Sequence, residues 1–296
     1  MKKILITGGC GYIGSAIYHN LKEKYIVDTV DLEWFGNYTN PNNIKEDFNN
    51  LTEDFLKNYD AIVHVAANSS VPLCKDIFDS FDNNVTKFIN LVKKLKHQKF
   101  IYASSSCVYG TTDQTPKKES ETILPIDGLT LSKTTIDNLM PLLDVEYYGL
   151  RFGSVNGWSP NMRLDLMINS MTISALRDKS VNVFNGHAYR PIISTKDLSK
   201  AVEAVIEFSG DARGIYNVAS FNENILEIGT KVANYINVPL NDKGKNFTYD
   251  FTVSSEKFEK TFNFKFDETV ETIVKSILDN PFNDAWGKRE IKNESL

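Results

Sequence analysis

Cysteine is scarce in this chain: Cys10, Cys74 and Cys107 stand at unrelated spacings. Three cysteines so scattered support neither a disulfide framework nor a metal cluster, so no metal is expected and the cytoplasm is the expected compartment. There is no surplus of positive charge. Lys and Arg total 33 against 38 Asp and Glu, a net −5, which argues against nucleic acid or an anionic membrane surface as the main partner. No apolar run is long enough to span a bilayer, and no basic-then-apolar stretch reads as a secretory signal. Internal repeats, low-complexity tracts and interdomain linkers are absent from the pattern as well. What remains is 296 residues, 42% hydrophobic and 24% charged, enough for one large domain or two unequal ones.

The most informative stretch is residues 4–14, Ile-Leu-Ile-Thr-Gly-Gly-Cys-Gly-Tyr-Ile-Gly. A short apolar run reads as a buried strand, and apolar spacing through Ile17 and Leu21 reads as the helix that follows. Gly8 suits a tight turn off the strand, Gly11 a close approach of backbone to a pyrophosphate, and Gly14 close packing of helix on strand. The anion would sit at the helix N-terminus, where the dipole favours it. Residues 25–31 predict a second strand ending at Asp31, placed to accept both hydroxyls of an adenosine ribose. No Arg occurs between Asp31 and Tyr59 to welcome a 2′-phosphate, so NAD is favoured over NADP.

Residues 33–60 are polar and Asn-rich, with a short helical stretch near 51–56. Residues 61–66 form a continuous apolar strand of the parallel-sheet kind, and His64 within it reads as a satisfied core residue. An amphipathic helix is predicted over 79–96, with Lys93, Lys94 and Lys96 in its last turn as partners of the dipole. The strand at 100–104 runs into Ser104-Ser105-Ser106-Cys107-Val108-Tyr109-Gly110. Strand ends on the carboxyl side of a doubly wound sheet line the ligand crevice, so these hydroxyls are candidate substrate contacts. Further strands are expected at 145–152, 181–184, 215–219 and 247–251, with a turn at Asn185-Gly186. Further helices are expected at 166–176, 197–208, 224–236 and 269–278, and a polar, frayed end over 283–296.

Taken together these motifs resemble the extended short-chain dehydrogenase/reductase superfamily, in its nucleotide-sugar epimerase/dehydratase branch typified by UDP-glucose 4-epimerase. The resemblance covers nearly the whole chain. It rests on residues 7–14, Asp31, Asp47-Phe48, residues 62–67, Asn83-Asn84-Val85, residues 104–110, Arg151-Phe152 and Tyr189-Arg190-Pro191-Ile192-Ile193 through Asp197. It implies a Rossmann-type doubly wound α/β fold with a smaller, discontinuous C-terminal lobe. The NAD domain would span 1–153, with 191–219 returning to it; the nucleotide-sugar lobe would take 154–190 and 220–296. It implies NAD contacts from Gly8, Gly11, Tyr12, Ile13, Asp31, Asp47, Phe48, Ala66, Ala67, Asn84 and Lys133. Substrate contacts are implied for Ser106, Ser154, Arg163 and Arg190. Arg190 offers the planar fork that matches a diphosphate, and Ser154 stands where the family often has Asn. Ser105 and Lys133 are the implied catalytic residues, and a homodimer through helices at 79–96 and 130–140 the implied assembly.

One position departs from the family. Its Tyr-x-x-x-Lys is here Leu129-Thr130-Leu131-Ser132-Lys133. In the family a tyrosinate takes the sugar hydroxyl proton, and the Lys lowers its pKa. Leucine does neither. Dehydratases of the family also follow the catalytic hydroxyl with Asp-Glu, where this chain has Ser106 and Cys107, which counts against 4,6-dehydration. The expected activity is C4 epimerisation of a nucleotide sugar by transient oxidation, with another group as base. Cys107, Asp127 and Asp165 are the candidates, although an apolar crevice would raise a thiol's pKa. The alternatives are a binding protein that does not turn its ligands over, and a 4-keto-sugar reductase.

Overall fold

The computed structural model describes residues 1–245 and 248–280. Its strands are β1 (Lys3–Thr7), β2 (Ile26–Val30), β3 (Ala61–His64), β4 (Lys99–Ser105), β5 (Tyr147–Phe152), β6 (Ser154–Asn156), β7 (Val181–Val183), β8 (Tyr189–Ser194), β9 (Gly214–Val218), β10 (Phe221–Asn224) and β11 (Leu240–Asp242). The helices used below are α1 (Tyr12–Leu21), α2 (Glu53–Leu56), α3 (Ile77–Phe81), α4 (Lys87–Val92), α5 (Gly128–Leu139), α6 (Met167–Asp178), α7 (Thr195–Glu207), α8 (Ile225–Ile236), α9 (Glu256–Phe262) and α10 (Val270–Leu278).

Six strands form one sheet in the order β2-β1-β3-β4-β5-β9, every neighbouring pair parallel. This is the doubly wound α/β fold. The run at 4–6 is apolar without alternation because both faces are covered. Ile4 and Ile6 pack into a core shared with Ile17 of α1, Val202 of α7, and Ile228 of α8. Leu5, pointing to the opposite face of the pleat, joins Val30, Ile62, Phe88 and Phe100. The chain reverses its direction of winding between β1 and β3, and a crevice at that switch point is where such sheets bind ligands.

Residues 195–218 return to the main sheet as α7 and β9, whereas β8 lies between β10 and β6 in a separate three-stranded sheet. The boundary expected at 191 therefore falls inside β8. The first core runs without a break from β1 into α6, α8 and α10, so the C-terminal elements share the apolar interior of the N-terminal ones.

Three expectations need correcting. The helix expected over 79–96 runs from Ile77 to Val92 with a π-helical turn at Asp82–Thr86, which shifts its later faces by one residue. It ends before the lysines said to neutralise its dipole. Instead, Lys94 Nζ donates to Asn49 O (2.6 Å) and Lys96 pairs with Glu53 at 3.3 Å, clamping the helix end to the segment before β3. No strand forms over 248–251; Phe251 N donates to Tyr189 O and Val253 makes a lone bridge with Lys117. Phe247 and the polar end at 283–296 lie outside the described residues. Among the described residues no helix is long and apolar enough to cross a membrane.

Candidate active site

The carboxyl ends of the parallel strands open onto a cavity of about 560 Å³. The first wall is the glycine turn after β1. Gly8 has φ +76°, and a Cβ there would sit 2.6 Å from Ala66 N; a Cβ on Gly14 would sit 2.0 Å from Gly8 O. The turn thus lies against residues 65–66 on one side and α1 on the other, with no room for a side chain. Gly11 caps α1 without a side-chain hydrogen bond, and the helix's first turn carries no acidic residue. Its positive end borders the cavity with no acidic side chain of its own first turn to offset it.

Asp31 follows β2. Its carboxylate accepts from Cys10 N (3.1 Å) and Glu33 N (2.6 Å). Burial raises its pKa, and those backbone N–H groups pull it part of the way back. Asp47, Phe48, Ala66 and Ala67 line the same end of the cavity, and Asp47 is paired with Lys87 of α4 at 2.9 Å. Tyr12 and Ile13 line it too. The Tyr12 hydroxyl, however, donates to Gly157 O (2.8 Å), and Ser159 Oγ donates to Tyr12 O (2.7 Å). Tyr12 therefore ties the glycine turn to the chain after β6.

At the far end, Ser105, Leu129 and Lys133 meet Ser154, Arg163 and Arg190. Leu129 and Lys133 lie four residues apart in the first turns of α5, on one helix face. Asp127 caps this helix, its Oδ1 accepting from Thr130 N at 2.8 Å. Lys133 is buried; its Nζ donates to Ala103 O (2.6 Å), and burial, partly offset by Asp137, brings its pKa from 10.5 to about 8. Arg190 donates to Ser154 Oγ (3.0 Å), while its Nε is buried with no partner among the described residues. Arg163 is held by Asp165 at 2.6 Å.

Two expected contacts are not delivered to the cavity. Asn84 lies in the π turn, buried, its Oδ1 accepting from Asn68 N and its Nδ2 donating to Ser132 Oγ (3.1 Å); its neighbour Asn83 faces the cavity instead. Ser106 is buried away from it, and Cys107 lines it. Burial pushes the Cys107 thiol up. His64 is a core residue as expected: its Nδ1 is 2.7 Å from Thr7 Oγ1, its ring packs edge-on to Phe48 and Phe88, and burial holds it neutral, its pKa at about 3.

Sequence reasoning missed two features. Tyr249, from the loop after β11, enters the cavity with its hydroxyl 2.5 Å from Asp127 Oδ2; no local pattern marks a loop tyrosine for this. Beneath Lys133 lies a buried polar network. Asp137, one turn along α5, accepts from Tyr102 Oη (3.1 Å), Ser104 Oγ (2.9 Å) and Arg151 Nε (2.8 Å). Arg151 in turn donates to Tyr109 Oη (2.8 Å).

The chain matches the NAD dependent epimerase/dehydratase family over residues 4–219. It is 29% identical to Protein CapI of Staphylococcus aureus across 69% of each chain. It is 30% identical to a UDP-glucose 4-epimerase of Lactobacillus helveticus across 53% of each. Its fold superposes on UDP-N-acetylglucosamine 4-epimerase from Methanobrevibacter ruminantium M1, solved in complex with UDP-N-acetylmuramic acid. That match has a TM-score of 0.83 and 25% identity, over 94% of this chain and 98% of that one. The glycine turn, the acidic residue after β2, the hydroxyls at the end of β4 and the family match converge on one conclusion: this chain belongs to the NAD dependent epimerase/dehydratase family, and its cofactor is NAD.

Proposed function

We propose that this protein epimerises a nucleotide sugar at C4 by transient oxidation and re-reduction, with Leu129 at the usual tyrosine position. One observation carries this reading: Ser105 and Lys133 share a single cavity with the glycine turn at one end and the Arg190–Ser154 pair at the other. The residues present fit NAD. The glycine turn packs so tightly that a Cβ at Gly8 or Gly14 would collide with backbone, and Gly8, Gly11 and Gly14 border the cavity, so backbone there can approach a ligand closely. The uncapped positive end of α1 suits a pyrophosphate, and Asp31 suits the adenosine ribose. Asp47, Phe48, Ala66 and Ala67 would border the adenine side, and Lys133 the nicotinamide ribose. Bound NAD would supply a reversible hydride acceptor.

The protein's own groups do the rest. Ser105, with Oγ accepting from Cys107 N (3.2 Å), would hold the reacting sugar hydroxyl. The buried Nε of half-buried Arg190, without a partner among the described residues, is suited to a diphosphate oxygen, since an unsatisfied buried donor of that kind gains about 1–3 kcal/mol on finding an acceptor. Arg163 stands on the same wall. The absence of an Asp-Glu pair after Ser105 favours epimerisation over dehydration.

Incubation with NAD and each of UDP-glucose, UDP-N-acetylglucosamine, GDP-mannose and dTDP-glucose, followed by NMR, is expected to yield the C4 epimer of at least one. Release of a 4-hydroxyl product only from an added 4-keto sugar, with oxidation of NADH, would mark a reductase instead. Binding of NAD and sugar nucleotide without either product would mark a non-catalytic protein.

The same reading places the protein in the cytoplasm as a homodimer. Its support is an apolar face: Ile77, Phe78 and Phe81 on α3 and Leu131 on α5 are exposed, and the two helices touch. Phe78 is 89% exposed, an unusual position for a large aromatic. Sedimentation equilibrium is expected to give twice the chain mass, reduced to the monomer by Phe78→Glu.

A further inference from the structure

The reaction proposed above needs a group that takes the sugar hydroxyl proton on oxidation and returns it on reduction, and Leu129 has no proton to exchange. Three nearby groups are poorly suited. The Cys107 thiol is pushed up by burial, Asp165 is taken up by Arg163, and Ser105 is an alcohol like the substrate. Tyr249 is different. Although it comes from the loop after β11, it lines the same cavity as Ser105, Leu129 and Lys133. Its hydroxyl lies 2.5 Å from the carboxylate of Asp127, two residues before Leu129.

The loop is anchored on the C-terminal side of Tyr249. Asp250 Oδ1 accepts from Tyr189 N (2.8 Å), and Asp250 O accepts from Thr112 N (3.0 Å). The Arg190 guanidinium sits 5.6 Å from the centre of the Tyr249 ring. The two oxygens of Asp127 divide their work. Oδ1 caps α5 through Thr130 N, and Oδ2 faces the tyrosine hydroxyl.

We infer that Tyr249 and Asp127 act as a proton relay that replaces the tyrosine missing at 129. This rests on the epimerase reading above. The sugar hydroxyl proton moves to Tyr249 Oη as the Tyr249 proton moves to the Asp127 carboxylate, which becomes neutral. Bound oxidised NAD would be the acceptor for the hydride, so the carbon loses a hydrogen with its electron pair as the hydroxyl loses its proton. On re-reduction the same two protons run back, so the relay ends as it began. Tyrosinate need not accumulate. That matters, because burial and then the Asp127 partner raise the Tyr249 pKa, which leaves it a poor base alone. Tyr249 is the catalytic residue in this scheme; Asp127 acts through it.

The test uses the full-length protein with NAD and whichever sugar nucleotide it turns over. Tyr249→Phe is expected to lower kcat by roughly 10²–10⁴-fold, with NAD affinity by calorimetry unchanged. Adding Leu129→Tyr to that variant is expected to restore turnover, which repair of a packing defect would not do. Asp127→Asn keeps the cap, since Asn caps helices as well as Asp, and is expected to lower kcat similarly. A second readout is independent of activity. Among the described residues, Asp127, Cys107 and Arg190 face Tyr249. In ¹³C NMR with ring-labelled tyrosine, assigned by Tyr249→Phe, Asp127→Asn should therefore move the Tyr249 titration to lower pH. Wild-type turnover that survives in Tyr249→Phe overturns the relay alone, and so does a Tyr249 titration that Asp127→Asn leaves in place. A wild-type protein inactive on the whole panel overturns the epimerase reading and the relay with it.

Discussion

Asp137→Ala is expected to destabilise the protein by roughly 3–5 kcal/mol, the usual cost of removing one partner from a buried ion pair. Both side chains are nearly inaccessible, Asp137 at 0% and Arg151 at 3%. The variant leaves the Arg151 guanidinium buried without its carboxylate, with only the Tyr109 hydroxyl still accepting from it, and the Tyr102 and Ser104 hydroxyls lose their acceptor. Burial raises the Asp137 pKa while the Arg151 charge and three donors draw it down again, so its environment is built for a carboxylate. In a chain of this size, such a loss lowers Tm by on the order of 10 °C, measurable by calorimetry. Replacing both residues, as Asp137→Leu with Arg151→Met, is expected to recover much of the loss, because the harm lies in the orphaned charge. A drop below about 2 °C in the single variant would show that the network does not support the fold. The network spans β4, β5 and α5, the floor beneath Ser105 and Lys133, so it links stability to the geometry of the site.

Lys133→Met is expected to make the protein more stable and less active. An ammonium whose pKa falls from 10.5 to about 8 on folding costs about 3 kcal/mol wherever both states are protonated. Methionine keeps most of the stem but forfeits the hydrogen bond to Ala103 O, so a net gain of about 1–3 kcal/mol is expected. The pH dependence has a definite sign. Below pH 8 folded and unfolded chains both carry the proton and the whole penalty is present. Between about 8 and 10.5 the folded chain has released a proton that the unfolded chain retains, so stability rises with pH. The advantage of Lys133→Met should therefore be greatest below pH 8 and shrink toward 10.5. Urea titrations at pH 7 and pH 10 measure it, and a variant no more stable than the wild type at pH 7 would refute it. The penalty has a functional counterpart in the proposed role at the nicotinamide ribose, and turnover should fall roughly 10²-fold or more. A buried lysine that burdens the fold is what a site, rather than a core, would keep.

The glycine turn, Asp31, the apolar strands and the leucine at 129 were all legible in the sequence. Each is a local matter: φ beyond +20° at Gly8, clearance at Gly14, a strand apolar on both faces, a residue four before Lys133. These set the fold class and the cofactor. Local pattern is weaker where a side chain's direction depends on a turn's exact width. The π turn at Asp82–Thr86 shows this, for it moves the cavity contact from Asn84 to Asn83. It fails altogether where partners are far apart in the chain. Asp137 meets Arg151 across 14 residues, Ser154 meets Arg190 across 36, and Asp127 meets Tyr249 across 122. No periodicity records such pairs, because only the closing of the sheet and the docking of the C-terminal elements on its core bring them together. By itself, then, the sequence determined that this chain is built for NAD and that a leucine stands four residues before Lys133. The tertiary structure alone decided which groups stand beside that leucine.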